Sequence, residues 1–486
     1  MSKEETLNIK NSSNKLLNKW AILFTVLMMT FMATFDSTIV NVALPMMQKC
    51  FGVGLDEIQW VASIYLITIC ASMLIFGSLG DMIGKSYIFE GGIALFSFGS
   101  LLCGFSHTYE FLLFARCVQG IGAAAAMANN MGIITETFDS SERGHALGLY
   151  ASFVALGMMC GPVIGGFIIS YLKWECIFLI NVPIGVLAFC AGLKTLPFCS
   201  SQHVSLSFDI KGAFLLVPAL ILVLMCAAQI TSGITRKVIA MFIGCCVLIG
   251  LFFNVEKKCT HPLVNLSLFR DPVLVINATV AMISFLAIGS TEIVLPFYLQ
   301  DAHGFQPNIA GLLFAVIPLV NAFVGPLSGA ICDKVGSHGP TCIGLIIYAM
   351  GIALVGTLTA TSNILQIIIF VAFMSFGTSM FQPANNNLFM DSAPHDALGF
   401  MSSFTMLVQN MGMSIGISVG MALLYNQMSR AAGIRITKIL PEFPEIFQYG
   451  FRHTFLVVAL LVGIGALLCC VRFLICRYRL SHQTSN

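Results

Sequence analysis

Apolar runs of membrane-spanning length recur along this chain, separated by short polar breaks, and they predict long helices throughout. A helix needs about 20 apolar residues to cross the hydrocarbon core of a bilayer. Windows of that size give six helices near 20–45, 57–80, 87–106, 110–135, 144–171 and 174–194. A polar linker beginning at Pro197 leads to two more near 210–231 and 236–254. A second linker precedes a further six near 273–299, 308–330, 341–360, 363–390, 398–425 and 452–476. The first run has no small-residue cleavage pattern and is too long for a signal-peptide core, so it counts as the first span. The expected fold is an all-α integral membrane protein of 14 transmembrane helices arranged 6+2+6. Its expected divisions are a tail over 1–19, a six-helix bundle over 20–194, linkers and two inserted helices over 195–272, a second six-helix bundle over 273–476, and a tail over 477–486.

Composition removes the soluble alternatives. Of 486 residues, 57% are hydrophobic and 9% charged, against roughly 25% charged in an average soluble protein. A mean hydropathy of +0.91 means more apolar surface than cores of this size can hide, so the lipid bilayer must serve as solvent. A net charge of +2 provides no basic field for nucleic acid. The 17 Cys are scattered through apolar runs without a C-x-x-C, and the nine His show no ligand spacing, so no metal and no cofactor is expected. No nucleophile-base pairing or phosphate-cradling loop stands out either, which argues against an enzyme. With the N-terminus inside, 15 of the 24 Lys and Arg fall on the cytoplasmic side and eight on the other. The positive-inside rule then places both termini in the cytoplasm of a multi-pass protein of the plasma (inner) membrane.

An internal repeat appears after the second helix of each six. Gly77-x-x-x-Asp81-x-x-Gly84, followed by Lys85, is matched in spacing by Gly329-x-x-x-Asp333-x-x-Gly336. Glycine permits a tight turn and close helix approach, and the Asp can accept from helix N-terminal amides. Repeated halves around a central site are how many transporters are built. Gly157, Gly161 and Gly165 recur every fourth residue and form one smooth helix stripe beside Pro162, suited to backbone-close packing. Gly412, Gly416 and Gly420 make a similar stripe, for which generic small-residue packing is an adequate reading.

Charges inside the membrane are costly and mark functional positions. Asp36, Arg116 and Glu292 are the deep ones. Asp36 lies about 24 Å along its helix from the cytoplasmic start, and Arg116 about 9 Å from the outer end of its own, so the two reach similar depth. Asp36 is a candidate for gaining and losing a proton, with Arg116 setting its affinity. A static structural pair, or an Arg116 that reaches to the outer interface, is the alternative. Glu292, one turn before Pro296, is a candidate second proton or cation site, or an interfacial residue. Glu90, one turn behind Lys85, reads as interfacial. The polar run Phe381-Gln382-Pro383-Ala384-Asn385 must face protein or water, through substrate contacts or interhelical hydrogen bonds.

These residues resemble the fourteen-helix drug:proton antiporters of the major facilitator superfamily over essentially the whole chain. Phe35 to Pro45, with Asp36 and Asn41, is similar to that group's first-helix motif, whose Asp is tied to proton coupling. Gln59-Trp60 and Tyr65 resemble its second-helix pattern, and Arg116-Cys117-Val118-Gln119-Gly120 the fourth-helix motif with its proton-transfer Arg. Gly148 to Gly166 matches the fifth-helix antiporter motif, and Trp174 with Ile177 to Gly185 the opening of the sixth helix. Two departures stand out: the loop at Gly84-Lys85-Ser86 lacks most of the family's basic residues, and Glu175 replaces an Arg.

The resemblance implies a proton-coupled antiporter that exports hydrophobic or cationic drugs by alternating access. Asp36, Arg116 and Glu292 would serve proton coupling. Asn41, Trp60, Tyr65, Gln119, Phe381, Gln382 and Asn385 would line the substrate cavity. The partners would be a small-molecule substrate, protons and lipid, with a periplasmic adaptor protein in a double-membrane bacterium. The rival reading is an exporter of one metabolite, such as an amino acid, lipid or siderophore-like compound, because fold does not fix substrate. A non-transporting sensor or scaffold is a more distant rival.

Overall fold

The computed structural model describes residues 3–138, 140–197, 210–229, 236–256, 271–391, 398–434 and 444–483. The linkers expected around 198–209 and 257–270 lie outside the described residues. Helices account for nearly all of the rest. The first six are α1 (Lys3–Phe51), α2 (Trp60–Ile83), α3 (Lys85–Gly104), α4 (Tyr109–Thr137), α5 (Ser140–Tyr171) and α6, which runs as Cys176–Leu179 and Asn181–Thr195. The middle pair is α7 (Ile210–Gln229) and α8 (Arg236–Glu256). The last six are α9 (Pro272–Phe297), α10 (Pro307–Phe314 and Val316–Val335), α11 (His338–Val355), α12 (Ile364–Asp391), α13 (Leu398–Ala432) and α14 (Pro444–Gln483).

Among the described residues, 12 helices are long and apolar enough to cross a membrane, and two shorter apolar stretches, Trp60–Met73 and Phe214–Val223, lie in α2 and α7. The sequence expectation of 14 spans therefore meets 12 by length and composition. Helix ends also differ from the apolar windows. The helix containing the first run begins at Lys3, and the last extends from Pro444 to Gln483. Hydropathy registers the slab of lipid, whereas backbone hydrogen bonding continues into the polar flanks.

Packing repeats from the first six helices to the last. In the first, α1 pairs with α5, α2 with α4, α3 with α4, and α6 with α1 and α3. In the last, α9 pairs with α13, α10 with α12, α11 with α12, and α14 with α9 and α11. The two glycine stripes occupy equivalent places in this scheme. A Cβ at Gly157, Gly161 or Gly165 would meet Thr34, Thr38 or Ile39 of α1; one at Gly412, Gly416 or Gly420 would meet Phe285, Leu286 or Ser290 of α9. Ser290 Oγ donates to the Gly416 carbonyl at 2.8 Å, a bond only two backbones in near contact can make. Along α1 the hydroxyls of Thr25, Thr30, Thr34 and Thr38 donate to carbonyls of the preceding turn, the local solution for polar groups that lipid cannot satisfy.

The repeated loop glycines split into two roles. Gly84 and Gly336 hold φ of +122° and +81° between successive helices, a region open to glycine. Gly77 comes within ordinary contact distance of Ala128, while Gly329 faces open space. Lys85 starts α3 and pairs with Glu136 at the end of α4 at 2.6 Å. The side chains of Asp81 and Asp333 lie outside the described residues.

Candidate functional site

Asp36 and Arg116 meet in the interior of the first six helices. Asp36 is 0% exposed and Arg116 1%. Arg116 donates from Nη1 to Asp36 Oδ2 at 2.6 Å. Asp36 Oδ1 accepts from Gln119 Nε2 and Asn181 Nδ2, each at 2.8 Å. Arg116 also donates from Nη1 to Gln119 Oε1 at 2.6 Å and from Nε to the Val61 carbonyl at 3.0 Å. Its guanidinium lies 4.1 Å from the Tyr65 ring centroid and 5.6 Å from that of Phe178, both within cation-π range. Gln119 completes the set with a bond from Nε2 to Ser100 Oγ at 2.8 Å.

Small residues make this arrangement geometrically accessible. Gly161 lets α5 reach the backbone of α1 at Phe35 and Ile39 and the Thr38 hydroxyl, next to Asp36. Gly99 of α3 lies against the Gln119 backbone, and Gly122 of α4 against Phe96. A larger side chain at Gly99 or Gly122 would part α3 from α4 and withdraw the Gln119 amide. The site thus depends on helix spacing as much as on its polar groups.

The remaining sequence-selected residues are placed elsewhere. Asn41 is buried further along α1, and Trp60 packs against the small cluster of Ile67 and Cys70. Phe381 is fully buried, its backbone meeting Gly344 of α11, and Asn385 is buried one turn on. Gln382 and Glu292 line a separate small cavity with Thr291, Asn321 and Tyr348. Glu90 is buried beside Gly192 of α6. Among the described residues no group of three or more His, Cys, Asp or Glu is placed to hold a metal ion.

Asn181 and Ser100 were not selected as site residues, and Asn181 supplies one of the three donors on Asp36. A lone amide inside the apolar stretch Ile177 to Ile184 was the available signal. A second missed feature is the contact between the two sets of six helices at the end carrying Lys49. After Pro296, α9 passes into a π-helical turn, Tyr298–Ala302, which turns Gln300 and Asp301 toward α1. Gln300 Nε2 donates to the Val42 carbonyl at 2.9 Å, and Lys49 pairs with Asp301 at 2.7 Å. Alongside, Gly311 of α10 abuts Pro162 and Gly166 of α5, and the Asn308 amide donates to Ser170 Oγ at 3.1 Å.

Comparison with known proteins agrees with this architecture. Residues 26–417 match the family model described as Major Facilitator Superfamily. The riboflavin transporter RibZ of Clostridioides difficile is 30% identical over 416 residues, covering 84% of this chain and 90% of RibZ. The tetracenomycin C resistance and export protein of Streptomyces glaucescens is 28% identical over 421 residues, covering 85% and 77%. In fold, the chain is similar to a bacterial homolog of the human lysosomal transporter Spinster in an inward-facing, unoccupied conformation. That likeness has a TM-score of 0.66 at 15% identity and covers 94% of this chain and 97% of the other.

Proposed function

Because the chain belongs to the Major Facilitator Superfamily, and so is a multi-pass membrane transporter of small molecules rather than an enzyme, we propose that it exports hydrophobic or cationic drugs in exchange for protons. The observation that carries this reading is the buried Asp36 carboxylate, bound by Arg116, Gln119 and Asn181. An intramembrane ion pair of this kind is expensive to build and is retained where it does work. A proton on Asp36 removes the charge that holds Arg116. The guanidinium then keeps only neutral partners, and the contacts tying α1, α2, α4 and α6 together loosen. Substrate movement is coupled to that change through α1 and α5, whose glycine seam carries it toward the other half.

In the same proposal all fourteen helices cross the plasma membrane as 6+2+6, the divisions fall as expected from the sequence, and both termini are cytoplasmic. The end carrying Lys49 then faces outside, and its closure corresponds to an inward-facing state. Gly77, Asp81, Gly84 and Lys85, with Gly329, Asp333 and Gly336, act in the conformational change. A relative named as a tetracenomycin C resistance and export protein supports the drug reading.

The test is concentrative export of ethidium by the purified protein in vesicles. A pH gradient should drive it in wild type and not in Asp36→Asn; accumulation by that variant would remove Asp36 from coupling. A second reading, export of one metabolite, is favoured by the riboflavin transporter at 30% identity. Riboflavin flux without ethidium flux would establish it.

A further inference from the structure

We propose that Glu292 is the anchor of a binding site for organic monocations, in the cavity where α9 to α12 face α5; this rests on the export reading above. Glu292 is 4% exposed. Its Oε2 is fully buried without a hydrogen-bond partner, and no Lys, Arg or His among the described residues pairs with it.

The hydroxyls of Thr291, Ser375 and Thr378 near the carboxylate do not satisfy it, because they return to carbonyls of their own helices. Thr291 donates to the Ile288 carbonyl at 2.9 Å, Ser375 to Val371 at 2.8 Å, and Thr378 to Ser375 at 2.9 Å. Asn321 accepts from Ser379. The Tyr348 hydroxyl and the side-chain amides of Asn321 and Gln382 also border the cavity, and none of them bonds Glu292 Oε2. A buried carboxylate left unpaired in this way is neutralised by a proton or by a cationic ligand, and the cavity beside it gives a ligand access. The Asp36 site is the opposite case, since its partners come from the chain.

The shape of the site selects the ligand. The open space beside Glu292 is about 30 Å³, room for one charged amino group, such as a ring amine of ethidium that shares its positive charge by conjugation, and not for a whole drug. The borders beyond are Met158 of α5, Ile288 and Ile317, and Met374 of α12. Unbranched methionines adapt to varied apolar bodies. An organic monocation with a charged amino edge on an apolar frame fits that combination, and Met158 ties its presence to the other half of the protein.

Binding of ethidium and of neutral N-phenyl-1-naphthylamine to the purified full chain tests the site. Glu292→Gln should weaken ethidium roughly tenfold to a hundredfold and leave the neutral probe unchanged, while Glu292→Asp restores most of the ethidium affinity. In wild type, ethidium should protect Glu292 from carbodiimide modification, read by mass spectrometry, and the neutral probe should not. This measurement holds even where a variant fails to fold. Equal ethidium affinity in wild type and Glu292→Gln, equal loss of both probes in a folded variant, or absence of protection overturns the site. Gradient-driven ethidium export that survives Glu292→Gln sinks this site and leaves the export reading intact; protection without any driven export does the reverse.

Discussion

Asp36 receives hydrogen bonds from Arg116 and Gln119 on one helix and Asn181 on another, so its replacement disturbs more than one charge. Removing one member of a buried ion pair strands the other and costs about 3–5 kcal/mol, whereas removing both costs less. Arg116→Gln should therefore lower the melting temperature in detergent more than the double variant Arg116→Gln with Asp36→Asn. Additive losses would mean that the 2.6 Å contact contributes no coupling energy. At this scale the charged residues were legible from sequence, because a carboxylate or guanidinium in an apolar run is rare enough to notice. The neutral partners were not. Ser100 donates to the Phe96 carbonyl of its own helix at 2.9 Å, as Ser97 does to that of Ile93 at 2.8 Å, and only the fold shows that Ser100 also accepts from Gln119 and that Asn181 reaches Asp36.

Between elements, glycine spacing sets the distances that bring those residues together. An added Cβ at Gly161 would lie 3.0 Å from both the Ile39 nitrogen and the Phe35 oxygen of α1. Neither backbone atom can move aside alone. Gly161→Val should destabilise the protein by about 1–3 kcal/mol and reduce transport, seen as a lower melting temperature together with slower flux. Gly329→Ala, into open space, should stay within about 0.5 kcal/mol of wild type. If both variants behave alike, the seam has no special tolerance. The Gly157 and Gly412 stripes were readable as patterns, yet their partners α1 and α9 were not, since a smooth face does not state what it touches. The rods themselves were the most legible feature, because lipid demands long apolar runs. Their true ends were hidden, as Lys3 and Pro444 show, because a helix does not stop where lipid does.

For the whole molecule, the two halves touch at the Lys49 end through one ion pair, the Gln300 to Val42 and Asn308 to Ser170 bonds and the close approach of Gly311 to Gly166. On the proposed mechanism of alternating access, these separate in each cycle. Cysteines at positions 49 and 301, in a background freed of native cysteines such as Cys50, should be linked by a short bifunctional reagent. Flux should stop and return on reduction if the linker carries a disulfide; undiminished flux in fully linked protein would show that this end does not open. The sequence carries no signal for this contact: Gln300 and Asp301 fall between the apolar windows 273–299 and 308–330, and only the π-helical turn aims them at α1.

Every group around Asp36, from Val61 and Tyr65 to Ser100, Arg116, Gln119, Phe178 and Asn181, comes from the first six helices, while all but one of the residues around Glu292 belong to the last six. On the proposed roles, energy supply and cargo choice would be inherited as separable parts. Selection could then rewrite the cargo through substitutions in α9 to α12 while the proton machinery passed down unchanged, so a lineage could meet a new toxin without rebuilding its engine.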